Sequence, residues 1–257
     1  MPLRTQFFIR SYAKDFPWLH YALRSIRKFC TGFAGVTVAI PAHDFAIAFD
    51  MFKTSPEVHF AAYPCPDKPM LRGEIQLCRC DEIVPPDTTH VLLTDSDCIF
   101  TMPTCPEDYT INGKPIMVGE RFDSMPPGSG CFAWRDATAA ALGFVPEYEF
   151  MCRHPAMYPI GVFQSFREEV EVVTQKPFDE YVLSCRNEFP QTFAELTSIG
   201  AYAHKFGGTF VSFVEKCDEG FCPTADSGNP ALMDHLKAFW SHAGIAPHRD
   251  EIERILA

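Results

Sequence analysis

Four short apolar segments in the first hundred residues, separated by stretches of helical periodicity, limit this chain more than any other feature. They are Gln6-Phe7-Phe8-Ile9-Arg10, Val36-Thr37-Val38-Ala39-Ile40, Val58-His59-Phe60-Ala61-Ala62 and His90-Val91-Leu92-Leu93-Thr94. Each has the length of a strand and carries apolar or β-branched residues in near-continuous runs, the pattern of strands covered on both faces. Between the first two, Trp18, Tyr21, Ala22, Ser25, Ile26 and Phe29 recur at helical spacing and predict a helix from about Phe16 to Phe29. Asp44 opens a second helical stretch through Phe52, and Pro69 to Cys80 reads as a third, with Leu71, Ile75 and Leu77 on its apolar side. Strands alternating with helices fold as an α/β domain around a mostly parallel sheet with helices on both faces. Ligands of such sheets bind beyond the carboxyl ends of the strands. The Ser11-Tyr12 and Asp95-Ser96-Asp97 segments fall at two of those ends.

The second half reads differently. Pro115 to Gly119 predicts another strand, and Asp123 to Gly130 a loop rich in Pro, Gly and Ser. Helical patterns follow at Asp136–Leu142, Ile160–Glu169, Phe178–Asn187 and Phe193–Lys205, with a short strand at Thr209–Val214. Asp218 to Pro230 reads as a loop, and Ala231–Ser241 and His248–Leu256 as terminal helices. No internal repeat or low-complexity tract interrupts the chain, so one continuous domain over residues 1–257 is expected.

Asp95-Ser96-Asp97 is the strongest chemical signal. Two carboxylates one residue apart at a strand end can face one cation, directly or through water. Hard divalent cations such as Mn²⁺ or Mg²⁺ take oxygen ligands and fill their remaining positions with phosphate oxygens and water. An Asp pair in a turn can also simply bond its own backbone. Its place after an apolar strand, fourth in an α/β alternation and followed by Ile99-Phe100, favours the metal. The eleven cysteines are scattered, and their spacing builds no pair of CxxC knuckles, so buried reduced thiols are expected rather than a zinc site.

The formal charge of −11 argues against a broad footprint for nucleic acid and suits an anionic ligand gripped through a metal ion. No apolar run approaches the length of a membrane span, and the first residues lack a signal-peptide core, so a cytoplasmic protein is expected.

The DxD segment after a central strand resembles that of GT-A glycosyltransferases, whose sheet is Rossmann-like. Arg10-Ser11-Tyr12, His154-Pro155-Ala156-Met157-Tyr158-Pro159, and Phe193-Ala194-Glu195-Leu196 leading to Gly200-Ala201-Tyr202-Ala203 resemble, in that order, pieces of a group of bacterial and viral GT-A-like proteins. That likeness runs from about residue 6 to 242. It implies a sugar-nucleotide half over about 1–120 and an acceptor half over about 121–257, and host cytoplasm as the location of a viral member.

The resemblance implies the following roles. Ser11 and Tyr12 lie near the base and ribose, and Asp44 sits beside the base. Arg72 and Gln76 point at the diphosphate or sugar. Ser96 belongs to the donor site, Asp97 is the more direct metal ligand, and Asp95 meets the ribose or sugar and the metal through water or one oxygen. A late histidine often completes such sites, and His242, beside Gly244, is the expected third ligand among His204, His235, His242 and His248. Glu195, at the start of an apolar helical segment, is the expected catalytic carboxylate, assisted by Asp95; a dry environment would raise its pKa and improve it as a base. His154, Tyr158 and Glu195 are the expected acceptor contacts.

The expected reaction moves a sugar from a nucleoside diphosphate donor, UDP-linked by preference, to a hydroxyl of a glycan, lipid carrier, protein or hydroxylated DNA base. Lys14, Arg24, Arg27 and Lys28 are grouped near the N-terminus and would suit DNA or simply form a solvated helix face, and the acidic net charge weighs against DNA. A nucleotidyltransferase is disfavoured because Ser11-Tyr12-Ala13-Lys14 lacks glycine. A haloacid-dehalogenase-like phosphatase carries its DxD on the first strand and continues with Gly-Thr, not Cys98-Ile99. A non-catalytic protein on a GT-A scaffold is the remaining alternative. Walker A, GxGxxG, HExxH and GxSxG patterns are absent.

Overall fold

The computed structural model describes residues 3–53, 55, 57–151, 155–188, 193–215, 235–239 and 244–257. The first part of the chain runs β1 (Thr5–Arg10), α1 (Phe16–Phe29), β2 (Gly35–Pro41), α2 (Phe45–Phe52), β3 (Val58–Tyr63), α3 (Pro69–Cys78), the short α4 (Cys80–Ile83), β4 (His90–Asp95) and β5 (Cys98–Phe100). The remainder supplies β6 (Thr110–Ile111), β7 (Lys114–Arg121), α5 (Cys131–Leu142), β8 (Tyr148–Glu149), β9 (Ala156–Pro159), α6 (Gly161–Thr174), α7 (Phe178–Ser184), α8 (Glu195–Phe206), β10 (Ser212–Glu215), β11 (Leu236–Ala238) and α9 (Arg249–Leu256).

The central sheet has the order β3-β2-β1-β4-β9. The first four strands are parallel and β9 is antiparallel to β4, so the sheet is mixed but mostly parallel, as the α/β alternation predicts. After β1 the chain moves outward through β2 and β3, then returns to the other side of β1 as β4. The strand order therefore reverses between β1 and β4, a Rossmann-like arrangement that opens a crevice at their carboxyl ends.

Side chains of a strand alternate between faces. Phe7 and Ile9 of β1, with Leu92 of β4, pack against α1 and α2 through Phe16, Leu19, Leu23 and Ala48. Phe8, Val91 and Leu93 face the opposite layer, where Leu71, Ile75, Phe163, Phe166, Leu196 and Ile199 form the larger core from α3, α6 and α8. Arg10 and Asp95 continue the alternation of Phe8 and Leu93, and the register sets them side by side. Elements from both halves share this sheet and core: β9 completes the sheet, and α8 packs beside α3.

Several expectations are corrected. Leu236–Ala238, inside the helix expected at Ala231–Ser241, is a strand antiparallel to β5. Its buried and exposed residues suit an edge pair, and Phe239 also lies in the core. The expected loop at Asp218–Pro230 lies outside the described residues. Ala156–Pro159, with no strand expected there from the sequence, is β9 and pairs with β4. The helix expected over Pro69–Cys80 ends at Cys78, since Arg79 departs from helical backbone before α4 starts. No described helix is long and apolar enough to cross a membrane.

Gly200 lets α8 approach the core closely. A Cβ there would lie 2.4 Å from Cγ of Phe150, and 2.5 Å from its Cβ, atoms too near the Phe150 backbone to swing away. Gly200→Ala gains about 1 kcal/mol of helix propensity but incurs an overpacking cost of about 1–3 kcal/mol. A fall in the urea midpoint at unchanged slope is expected; an unchanged midpoint would mean that Phe150 does not press on α8.

Candidate functional site

The crevice between β1 and β4 is built by fixing two strand ends. Past β1, the Ser11 backbone N–H donates to the Ala39 carbonyl of β2 at 3.0 Å. Tyr12 stays extended, and Ala13–Asp15 forms a turn of 3₁₀ helix. The Ala13 N–H at its start donates to Oδ2 of Asp44 at 2.9 Å. Past β4, Ser96 and Asp97 turn the chain directly into β5. The Ser25 hydroxyl accepts from Phe100 N–H at 3.0 Å, and the Phe239 N–H donates to the Asp97 carbonyl at 3.0 Å.

These ends enclose a cavity of about 590 Å³, whose described walls are Arg10, Ser11, Tyr12, Asp15, Tyr63, Pro69, Met70, Gly73, Asp95, Ser96 and Asp97. That volume lies in the range of ordinary small-ligand sites, roughly 300–1,000 Å³. A second cavity of about 360 Å³ adjoins it, sharing Tyr12 and Asp15 and adding Lys14, Pro17, Trp18, Gly244 and Ile245.

The first cavity is dominated by acids. Asp15, Asp95 and Asp97 line it, and Arg10 is the only cationic side chain among its described wall residues. Arg10 Nη2 donates to Oε1 of Glu195 at 2.6 Å. Glu195 is the first residue of α8 and is 5% exposed at its side chain, against 23% for Arg10. Burial alone would lower the Arg10 pKa; Glu195 first, then Asp95 and Glu74, outweigh burial and hold it above its ordinary value. The Tyr12 phenol is pushed up by burial and then by Asp15 and Asp97, so it remains a hydroxyl at neutral pH. Burial, then Asp95 and Asp97, push the Cys98 thiol far up. The Ser11 hydroxyl is buried on the cavity wall with no hydrogen-bond partner among the described residues.

Ser11, Tyr12, Asp95, Ser96 and Asp97 come together on these walls as expected. Other expected residues do not. Arg72 turns away from the cavity and donates to Asp67 at 2.9 Å, and Gln76 is half-buried off the wall; α3 presents Pro69, Met70 and Gly73 instead. Asp44 is buried as the anchor of the 3₁₀ turn. Glu195 is dry, as expected, but lies off the wall and holds Arg10. Tyr158, expected at the acceptor, is instead a core residue, 2% exposed, packed edge-on against Phe163 and off the cavity wall. His154 and His242 lie outside the described residues.

The basic group near the N-terminus is a set of structural contacts. Arg24 pairs with Glu253 at 3.0 Å, Arg27 with Glu57, and Lys28 donates to the Ile255 carbonyl. Sequence reasoning missed Arg10, Asp15, Tyr63, Met70 and Gly73 as wall residues. Arg10 had a readable signal, a charge ending a strand that is otherwise buried.

No group of three metal-ligating side chains occurs among the described residues. A divalent cation at this wall would have Asp95 and Asp97 as its nearest carboxylates, with its other positions left to ligand oxygens and water. No family model matches the chain, and no curated protein sequence matches it.

The Arg10–Glu195 pair is buried enough for its loss to be costly. Arg10→Met leaves Glu195 without its cation and should lower the unfolding free energy by about 3–5 kcal/mol. Adding Glu195→Gln should recover much of that loss in urea denaturation. A double variant no more stable than Arg10→Met would show that the pair does not couple α8 to β1.

Proposed function

We propose that this chain is a metal-dependent glycosyltransferase of GT-A architecture, moving a sugar from a nucleoside diphosphate donor to a hydroxyl acceptor. The observation that carries the reading is the position of Asp95-Ser96-Asp97: it ends β4 across the crevice from Ser11-Tyr12, at the reversal of strand order, inside a ligand-sized cavity. A DxD turn elsewhere on the surface would carry no such meaning.

In this reading Asp97 and Asp95 hold Mn²⁺ or Mg²⁺, which supplies Lewis-acid stabilisation to the departing diphosphate. The unpartnered Ser11 hydroxyl and the Tyr12 ring receive the nucleoside. Arg10 and Tyr63 form the inner wall toward the sugar. Glu195 acts through Arg10 as a positioning residue. Asp15 borders both cavities, so it is the carboxylate that an acceptor entering through the second one meets. Arg24 and Arg27 are already paired with Glu253 and Glu57, which favours a glycan or small hydroxyl acceptor over DNA.

A panel of nucleotide sugars, read by thermal shift with and without Mn²⁺, tests the donor site. A bound donor should add about 2.7 kcal/mol of stability at a concentration of roughly 100 Kd. EDTA and Asp97→Asn should each abolish the metal-dependent part. No shift with any donor would remove the reading, and a shift without Mn²⁺-dependent donor hydrolysis would leave a binding protein.

Two variants test the remaining roles. Asp15→Asn should cut turnover by about 10²–10⁴-fold, the usual contribution of general acid–base catalysis, while the donor shift persists; full turnover would exclude Asp15 as the base. His242→Ala should raise the Mn²⁺ concentration needed for the donor shift, and an unchanged Mn²⁺ dependence would exclude His242 as a ligand.

A further inference from the structure

The inner wall of the cavity carries a polar feature that metal and nucleoside binding do not use. Gly73 of α3 lies on that wall, and a Cβ placed there would be 3.7 Å from Arg10 Nη1 and 3.7 Å from the Tyr63 hydroxyl. Two donors on different strands, β1 and β3, thus come together on the stretch of cavity wall that Gly73 leaves without a side chain. Burial, the largest influence, pushes the Tyr63 phenol up to about 12, so its hydroxyl keeps its proton at neutral pH. The charge of Arg10 is already met by Glu195 at 2.6 Å, with Asp95 beside it in register.

The ion pair determines what this point can recognise. A guanidinium with no acid partner would select a carboxylate on the ligand. A guanidinium whose charge is met from behind offers its other N–H groups as donors without offering net positive charge. A second carboxylate brought to the same place would meet the fields of Glu195 and Asp95.

We propose that Arg10 and Tyr63, opened by Gly73, form a subsite for a neutral hydroxyl-bearing sugar, and that Glu195 makes it reject acidic sugars. The subsite rests on the donor-site reading above and adds the class of sugar: a neutral hexose rather than a uronate. Arg10 and Tyr63 touch the sugar, whereas Glu195 is a positioning residue that acts through Arg10.

The test uses the full chain with Mn²⁺ and calorimetric titration of UDP, UDP-glucose, UDP-glucuronate, GDP and GDP-mannose. The wild type should bind UDP-glucose or GDP-mannose more tightly than the bare nucleotide, and UDP-glucuronate at least about ten-fold more weakly than UDP-glucose, the effect of about one charge-assisted hydrogen bond. Gly73→Ala adds a methyl at ordinary contact distance in a helix and should fold; it should erase most of the affinity that the hexose adds over the bare nucleotide. Glu195→Gln should shrink or reverse the preference for glucose over glucuronate, a ratio that a purely structural role would not move. Glucuronate binding as tightly as glucose, or a hexose contribution untouched by Gly73→Ala, would overturn the subsite while leaving the donor site standing. If neither UDP nor GDP binds with Mn²⁺, the donor-site reading fails and the subsite fails with it.

Discussion

The contact between Arg10 and Glu195 is the constraint on which the site depends. Arg10 ends a strand whose other side chains are buried, on the face that looks toward α8. A charge in that place is costly without a partner, and the helix that covers the face supplies one at its first residue. The first turn of a helix also favours an acid through its macrodipole, so Glu195 is stabilised there independently of Arg10. One ion pair then links residues 185 positions apart and fixes the start of α8 against the end of β1.

The remaining supports of the crevice work by the same economy of long-range anchors. Asp44, from the connection after β2, holds the turn after β1. Phe239 and Ser25 hold the turn and strand after β4. The two strand ends that form the walls are thus fixed from outside the cavity, which leaves Ser11, Tyr12, Asp95 and Asp97 to face inward. Rigid support from a surrounding layer is what keeps a binding constellation in place.

The parts of this structure legible in the sequence are those set by local pattern. The strands β1, β2 and β4 each carry a run of buried apolar residues, and α1 repeats its buried residues at helical spacing, so their positions follow from the residues alone. The DxD turn was legible for the same reason: it directly follows such a strand. Leu236–Ala238 misled because its neighbours suit a helix, and only pairing with β5, more than a hundred residues away in the chain, makes it a strand. Arg72 and Gln76 misled because helix α3 was legible but its rotation was not. Tertiary packing turns Met70 and Gly73 inward and gives Arg72 to Asp67. Glu195 was rightly read as dry, yet its partner lies on a distant strand, and no local pattern announces such a pair.

The charge of the cavity explains why a metal belongs in the proposed reading. A diphosphate brought against walls that carry Asp15, Asp95 and Asp97 meets like charge, and two like unit charges 4 Å apart repel by about 4 kcal/mol at an effective dielectric near 20. Arg10 does not offset this, because its charge is matched by Glu195. In the proposed reading, a divalent cation held by Asp95 and Asp97 would cancel their two charges and offer its open positions to the diphosphate oxygens, while the sugar end of the cavity would keep its balanced Arg10. In that reading the acids that repel a bare nucleotide would favour its metal complex, which makes the acidic balance of the whole chain compatible with an anionic donor.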